Sequence, residues 1–99
     1  MNNKILTLLG FASKAGKLSY GQAASLEAMQ RQKTKLLVIA SDVSAKSQKE
    51  LKFHAEKYNA PYLILECVAI TELSNAVGRN CGAVSVNDNS FADAIKNVG

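Results

Sequence analysis

The run Leu36-Leu-Val-Ile-Ala40 limits what this chain can fold into more than any other stretch. It has no polar alternation, and a strand that is apolar at every position must be covered on both faces. The residues before it supply one cover. Lys14-Ala-Gly16-Lys17-Leu-Ser-Tyr20-Gly21 is a glycine-punctuated basic loop, with Leu18 to Tyr20 as a short strand, and it opens a helix expected over 21–32. That helix should bury Ala24, Leu26 and Met29. The free amides of a helix N-terminus beside lysines form a ready site for phosphate or another anion. The same pattern also suits an ordinary loop, helix and core strand whose lysines only keep the surface soluble.

On either side the pattern repeats. Ile5, Leu8, Leu9 and Ala12 recur at helical spacing, which predicts an amphipathic helix over 3–15 ended by Gly16. Asp42 or Ser44 is placed to cap a third helix with Leu51, Ala55 and Tyr58 buried and Lys46, Lys49, Lys52 and Lys57 at the surface. Asn59-Ala-Pro61 stops it, and Tyr62-Leu-Ile-Leu65 reads as a second buried strand. Thr71 is expected to cap a short helix carrying Leu73, Ala76 and Val77 and closed by Gly78. After the loop Arg79 to Gly82 come a strand over 83–86 and a last helix, capped within Asn87 to Ser90, with Phe91, Ala94, Ile95 and Val98 inward. Alternating strands and helices with short connections, and no repeat or linker, predict a single α/β domain over 1–99, a three-layer α/β/α sandwich on a mixed sheet.

Charge is distributed unevenly. Residues 1–57 carry ten Lys/Arg against four acids, a balance of +6, whereas 58–99 carry two against four, a balance of −2, which together give the net +4 of the chain. Such asymmetry favours nucleic acid or an acidic surface as partner. Cys67 and Cys81 belong to no paired motif, and nothing resembles a secretory signal or a membrane span, so the expectation is a cytoplasmic protein with reduced thiols and no membrane partner.

The residues of common chemistries are not arranged for them. His54, the only histidine, has no serine or cysteine at a meaningful spacing. Two distant cysteines and one histidine do not make a zinc site, whose ligands come in close pairs. Gly21 is followed by Gln22 and Ala23 rather than by the Lys-Ser/Thr of a nucleotide-binding loop. The acids are scattered singly. The expectation is no enzyme, no metal and no cofactor.

Taken together, Gly16-Lys17-Leu-x-x-Gly21, Lys35-Leu-Leu-Val-Ile-Ala-Ser-Asp42, Asn59-Ala-Pro61-Tyr62 and Leu73-x-x-Ala76-Val-Gly78 form an ordered set. This set resembles the kink-turn RNA-binding superfamily of ribosomal proteins, of the seven-Ae and thirty-e type, and especially its small bacterial YlxQ-like members. The resemblance covers about Leu8 to Ile95. It implies a four-stranded mixed sheet, with RNA docked at the start of the second helix and at the loop before the last strand. In kink-turn binders of this family, Thr-Asn-Glu and a later Lys follow the glycine and grip tandem sheared G·A pairs. Here those four places hold Gln22, Ala23, Ala24 and Glu27. An alanine cannot bond a base edge, and each lost bidentate contact forfeits roughly 1–3 kcal/mol of discrimination. What carries over is the scaffold and the backbone site: Gly21, Gln22 and Ser25 against a phosphate, with Lys14, Lys17 and Lys33 supplying charge and Arg79, Asn80 and Cys81 pressing on flipped-out nucleotides. The resemblance implies a monomeric, non-enzymatic protein that binds ribosomal or other structured RNA, in association with the ribosome or apart from it. A protein–protein adaptor on the same scaffold remains the alternative, favoured by Ala23, Ala24 and Glu27.

Overall fold

The computed structural model describes residues 2–98. The elements follow in the order α1 (Asn2–Lys14), β1 (Leu18–Tyr20), α2 (Gly21–Gln30), β2 (Leu36–Ile39), α3 (Ala45–Lys57), β3 (Tyr62–Ile64), α4 (Ile70–Val77), β4 (Ala83–Val86) and α5 (Asn89–Val98). The strands form one mixed sheet in the order β1-β4-β2-β3, with β4 antiparallel to both β1 and β2, and β3 parallel to β2. This is the expected four-stranded α/β arrangement.

Every residue of β2 and of β4 is buried. Leu36, Val38, Val84 and Val86 pack with Ile5, Leu9, Leu73 and Ile95 of α1, α4 and α5. Leu37, Ile39 and Ala83 pack on the other face with Met29, Leu51 and Ala55 of α2 and α3. Alternate side chains of a strand point to opposite faces, so the unbroken apolar run is what two helical layers demand.

Helix ends are set by backbone geometry. At α1 the Lys17 amide donates to the Ala12 carbonyl and the Gly16 amide to Ser13, around a Gly16 φ of +71°. This doubly bonded stop, which closes orphan carbonyls, recurs at Gln32 after α2 and at Asn59 after α3, each with φ +57°.

Three expectations differ from the structure, and the choice of cap for α3 is decided. β3 is an edge strand with Tyr62 exposed, because only β2 pairs with it and an apolar run does not reveal which flank lies open. Ser44 alone caps α3, accepting the Ser47 amide at 3.2 Å. Asp42 instead reaches α4, its Oδ1 accepting the Ile70 amide at 2.7 Å. Thr71 therefore lies inside α4 rather than before it, and Glu72 accepts the Ala69 amide at 3.2 Å. In α2 the buried stripe is Ser25, Ala28 and Met29, with Ala24 and Leu26 only half-buried, because the helix is rotated to pack against β4.

Leu37 is fully buried at the centre of the α2–α3 face. Leu37→Ala should lower unfolding free energy by about 2–5 kcal/mol, since transfer and cavity terms add. Denaturant titration measures this, and a loss below about 1 kcal/mol would mean that the face is not packed as described.

Candidate nucleic-acid interface

Gly21 begins α2 directly from β1, at a φ of +88°. A Cβ there would meet no neighbouring atom, so the backbone conformation rather than space calls for glycine. Tyr20 precedes the helix without capping it through its side chain. The first amides of α2 therefore take no bond from a capping side chain and lie at the positive end of the helix dipole.

The antiparallel register Tyr20↔Val84 sets the end of β1 beside the start of β4, and so brings the Arg79–Gly82 loop to Gly21. A cleft of about 460 Å³ joins the two, lined by Gln22, Gly82 and Ala83 together with Asp42, Val43, Ser44 and Ile70. Arg79 stacks its guanidinium over the Tyr20 ring, 4.7 Å from the centroid. The Tyr20 hydroxyl meets Ser13 Oγ at 2.6 Å, and the same Ser13 oxygen lies 2.6 Å from the Val77 carbonyl. Ser13 has one proton and donates it to that carbonyl, so the tyrosine hydroxyl donates to Ser13. This chain of contacts ties α1, β1 and the end of α4 under Arg79.

The loop itself is held from below. Ser74 Oγ donates to the Cys81 carbonyl at 3.1 Å and accepts the Cys81 amide at 3.0 Å. The Cys81 thiol is buried and donates to the Arg79 carbonyl at 3.4 Å. Burial pushes this thiol's pKa up, which keeps it a neutral donor. Asn80 stays exposed, while Gly78 closes α4 in the left-handed region at +79°.

The nine residues singled out in the sequence are thus divided. Gly21, Gln22, Arg79, Asn80 and Cys81 come to one end of the sheet. Lys14 follows Ser13 and lines the α1–α4 groove with Phe11 and Ala76. Lys17 lies at the opposite end, its carbonyl accepting the Asn87 amide at 2.8 Å past the last residue of β4. Lys33 shares that far end, beside Ser19, Arg31 and Asn87. Ser25 is fully buried and its hydroxyl has no hydrogen-bond partner, so it offers nothing to an outside ligand. Gln22 spends its amide on Glu50 of α3, donating at 3.0 Å. Of the base-reading positions, Ala23 is exposed, Ala24 is half-buried, and exposed Glu27 pairs with Arg31 at 3.3 Å. In the sequence Tyr20 reads only as a strand end, and Ser13 carries no signal of its own. An aromatic residue directly before a helix-opening glycine was the available signal.

Among the described residues no group of three or more His, Cys, Asp or Glu could hold a metal ion. No described helix is long and apolar enough to cross a membrane.

The family model for ribosomal protein L7Ae/L30e/S12e/Gadd45 matches residues 3–96. The chain belongs to this family. It is similar to RNA-binding protein YlxQ of Enterococcus faecium, at 27% identity over 95 residues, covering 96% of this chain and 90% of that protein. RNA-binding protein YlxQ of Bacillus subtilis (strain 168) is also 27% identical, over 89 residues, covering 89% and 87%. A protein of unknown function from Bacillus halodurans C superposes with a TM-score of 0.88 at 25% identity, over 96% of this chain and 95% of that one. The 15.5kD RNA binding protein of Giardia lamblia shares the fold, with a TM-score of 0.78 at 17% identity, over 98% and 82%. Within the L7Ae/L30e/S12e/Gadd45 fold, the α2 N-terminus and the loop before β4 adjoin here through the β1–β4 register, and the Arg79–Tyr20 stack spans the two.

Ser13→Ala and Tyr20→Phe should each cost about 1 kcal/mol of stability. In a double-mutant cycle they should be non-additive by at least about 0.5 kcal/mol, because they share one hydrogen-bonded chain. Additive losses would mean that the two hydroxyls are not coupled.

Proposed function

We propose that this chain is a non-enzymatic, cytoplasmic RNA-binding protein that acts as a single-domain monomer on ribosomal or other structured RNA. One observation carries the proposal: the uncapped start of α2 and the Arg79–Gly82 loop meet at one end of the sheet, with Arg79 stacked on Tyr20. The names of the YlxQ relatives support the choice of RNA.

The roles follow from chemistry. Amides at Gly21 and Gln22 hold a backbone phosphate, which positions RNA without reading its sequence. Arg79 presents a planar cation to a phosphate or an unstacked base. Asn80 contributes an exposed amide from the same loop, and Cys81 acts beneath it by fixing the turn. Lys14 adds charge from the α1–α4 groove, whereas Lys17 and Lys33 add only longer-range attraction from the far end. Ser25 serves packing alone.

Discrimination between RNA sequences should be weak, since Ala23, Ala24 and Glu27 stand where guanine edges would be read. The test is a titration with a kink-turn RNA and with the same RNA lacking its G·A pairs. Affinity should fall at least about tenfold between roughly 50 and 200 mM salt. The two RNAs should differ by less than about tenfold, and Ala23→Asn, Ala24→Glu and Glu27→Lys together should widen that gap. Arg79→Ala should weaken both RNAs alike. A preference of about a hundredfold for the intact kink-turn would contradict this account of specificity. Absence of salt-dependent RNA binding would favour the adaptor reading.

A further inference from the structure

The outward face of α3 takes no part in the surface above. Leu51 and Ala55 bury one side of the helix. On the opposite side Lys46, Lys49, Phe53 and Lys57 follow at spacings of three, four and four residues, which aligns them along one face. This strip extends about 16 Å.

Phe53 sits in its middle and is 61% exposed, more than Phe11 or Tyr62. Its ring meets the His54 imidazole edge-on, with centroids 5.4 Å apart at 73°. That contact steadies the ring while leaving it open to solvent. Among the described residues, the Lys46 and Lys49 side chains have no ion pair or hydrogen bond, and Lys57 Nζ lies 5.5 Å from the Tyr58 ring centroid. Glu50 and Glu56 flank the strip, and Glu50 is turned towards α2 by its bond from Gln22.

We infer that this face of α3 is a second RNA-contacting surface, binding a single-stranded segment by stacking a base on Phe53 and seating its phosphates on Lys46, Lys49 and Lys57. It rests on the RNA-binding reading above and extends it. An aromatic ring among lysines is the combination that single strands require, because every base has a stacking face and every nucleotide a charge. The N-terminal half of α3 also borders the first surface. Gln22, in the first turn of α2, bonds to α3 at Glu50, and Ser44 and Ser47 line the same cleft as Gln22 and Gly82. A strand that crosses from the cleft over the first turn of α3 reaches Lys46 and Lys49 before Phe53. An anionic membrane fits less well, because one phenyl ring is all the apolar area on offer while the apolar side of α3 is in the core.

The test compares a blunt RNA hairpin with the same hairpin carrying a single-stranded tail of about ten nucleotides. The unmodified protein should bind the tailed RNA more tightly. Phe53→Ala should weaken the tailed RNA by about 5- to 50-fold and leave the blunt hairpin within about twofold, whereas Phe53→Trp should retain the tail's benefit. Neutralising Lys46, Lys49 and Lys57 to Gln should flatten the salt dependence for tailed RNA by about two in logarithmic slope. Circular dichroism should show all variants folded, since these side chains lie outside the core. A protein that binds the hairpin but gains nothing from the tail would overturn this inference alone. So would a Phe53→Ala variant that keeps full affinity for tailed RNA yet loses binding to vesicles rich in anionic lipid. If neither RNA binds, both this inference and the function it rests on fall together.

Discussion

Ser85 is a fully buried polar residue in the middle of the sheet, and its hydrogen bonds fix the register on which the rest of the structure depends. Its hydroxyl lies 2.7 Å from Thr34 Oγ1 and donates to Asn87 Oδ1 at 2.7 Å, while Asn87 Nδ2 donates to Ser19 Oγ at 2.9 Å. These bonds link β4 to β1 and to the segment entering β2. A one-residue slip of β4 would turn Ser85 into the apolar α1–α4–α5 side and expose a valine to its polar partners. Leaving that hydroxyl unpaired would cost about 1–3 kcal/mol, on top of the misplaced apolar side chains.

With the register fixed, topology decides the function-bearing end. β4 lies between β1 and β2 and runs against both, so its start adjoins their ends. What leaves β1, namely α2, meets what enters β4, the Arg79–Gly82 loop. What leaves β2 arrives there too, as Ala40 donates to the Gly82 carbonyl at 2.9 Å and Asp42 bonds to the first turn of α4. The Ser13–Tyr20–Arg79 chain then closes this end from the α1 side. β3, parallel to β2, ends there as well, so all four strands and the first turns of three helices share one rim.

Much of this was legible in the sequence. The unbroken apolar run at Leu36–Ala40 demanded two covering layers, and the glycines at 16, 21 and 78 marked breaks that the backbone adopts with positive φ. What was not legible depended on register and rotation. An extended Leu18–Tyr20 already sets Lys17 and Gly21 at opposite ends of β1, but only the pairing with β4 decides which of those ends meets the Arg79–Gly82 loop. Ser25 reads as a polar residue near a helix start, yet the roll of α2 against β4 buries it. Asp42 reads as a cap for the helix that follows it, but it caps one that begins 28 residues later, a contact made by tertiary folding alone. The Arg79–Tyr20 stack is similarly non-local.

The central claim is spatial: RNA contacts the end of the sheet where α2 begins and β4 is entered. Amide chemical shifts recorded during titration with a structured RNA test it most directly. Gly21 to Ala23 and Arg79 to Gly82 should shift together and early, while Lys17, Lys33 and Asn87 at the opposite end should remain in place. Early shifts at Lys17, Lys33 and Asn87, with Gly21 and Arg79 unmoved, would contradict the account.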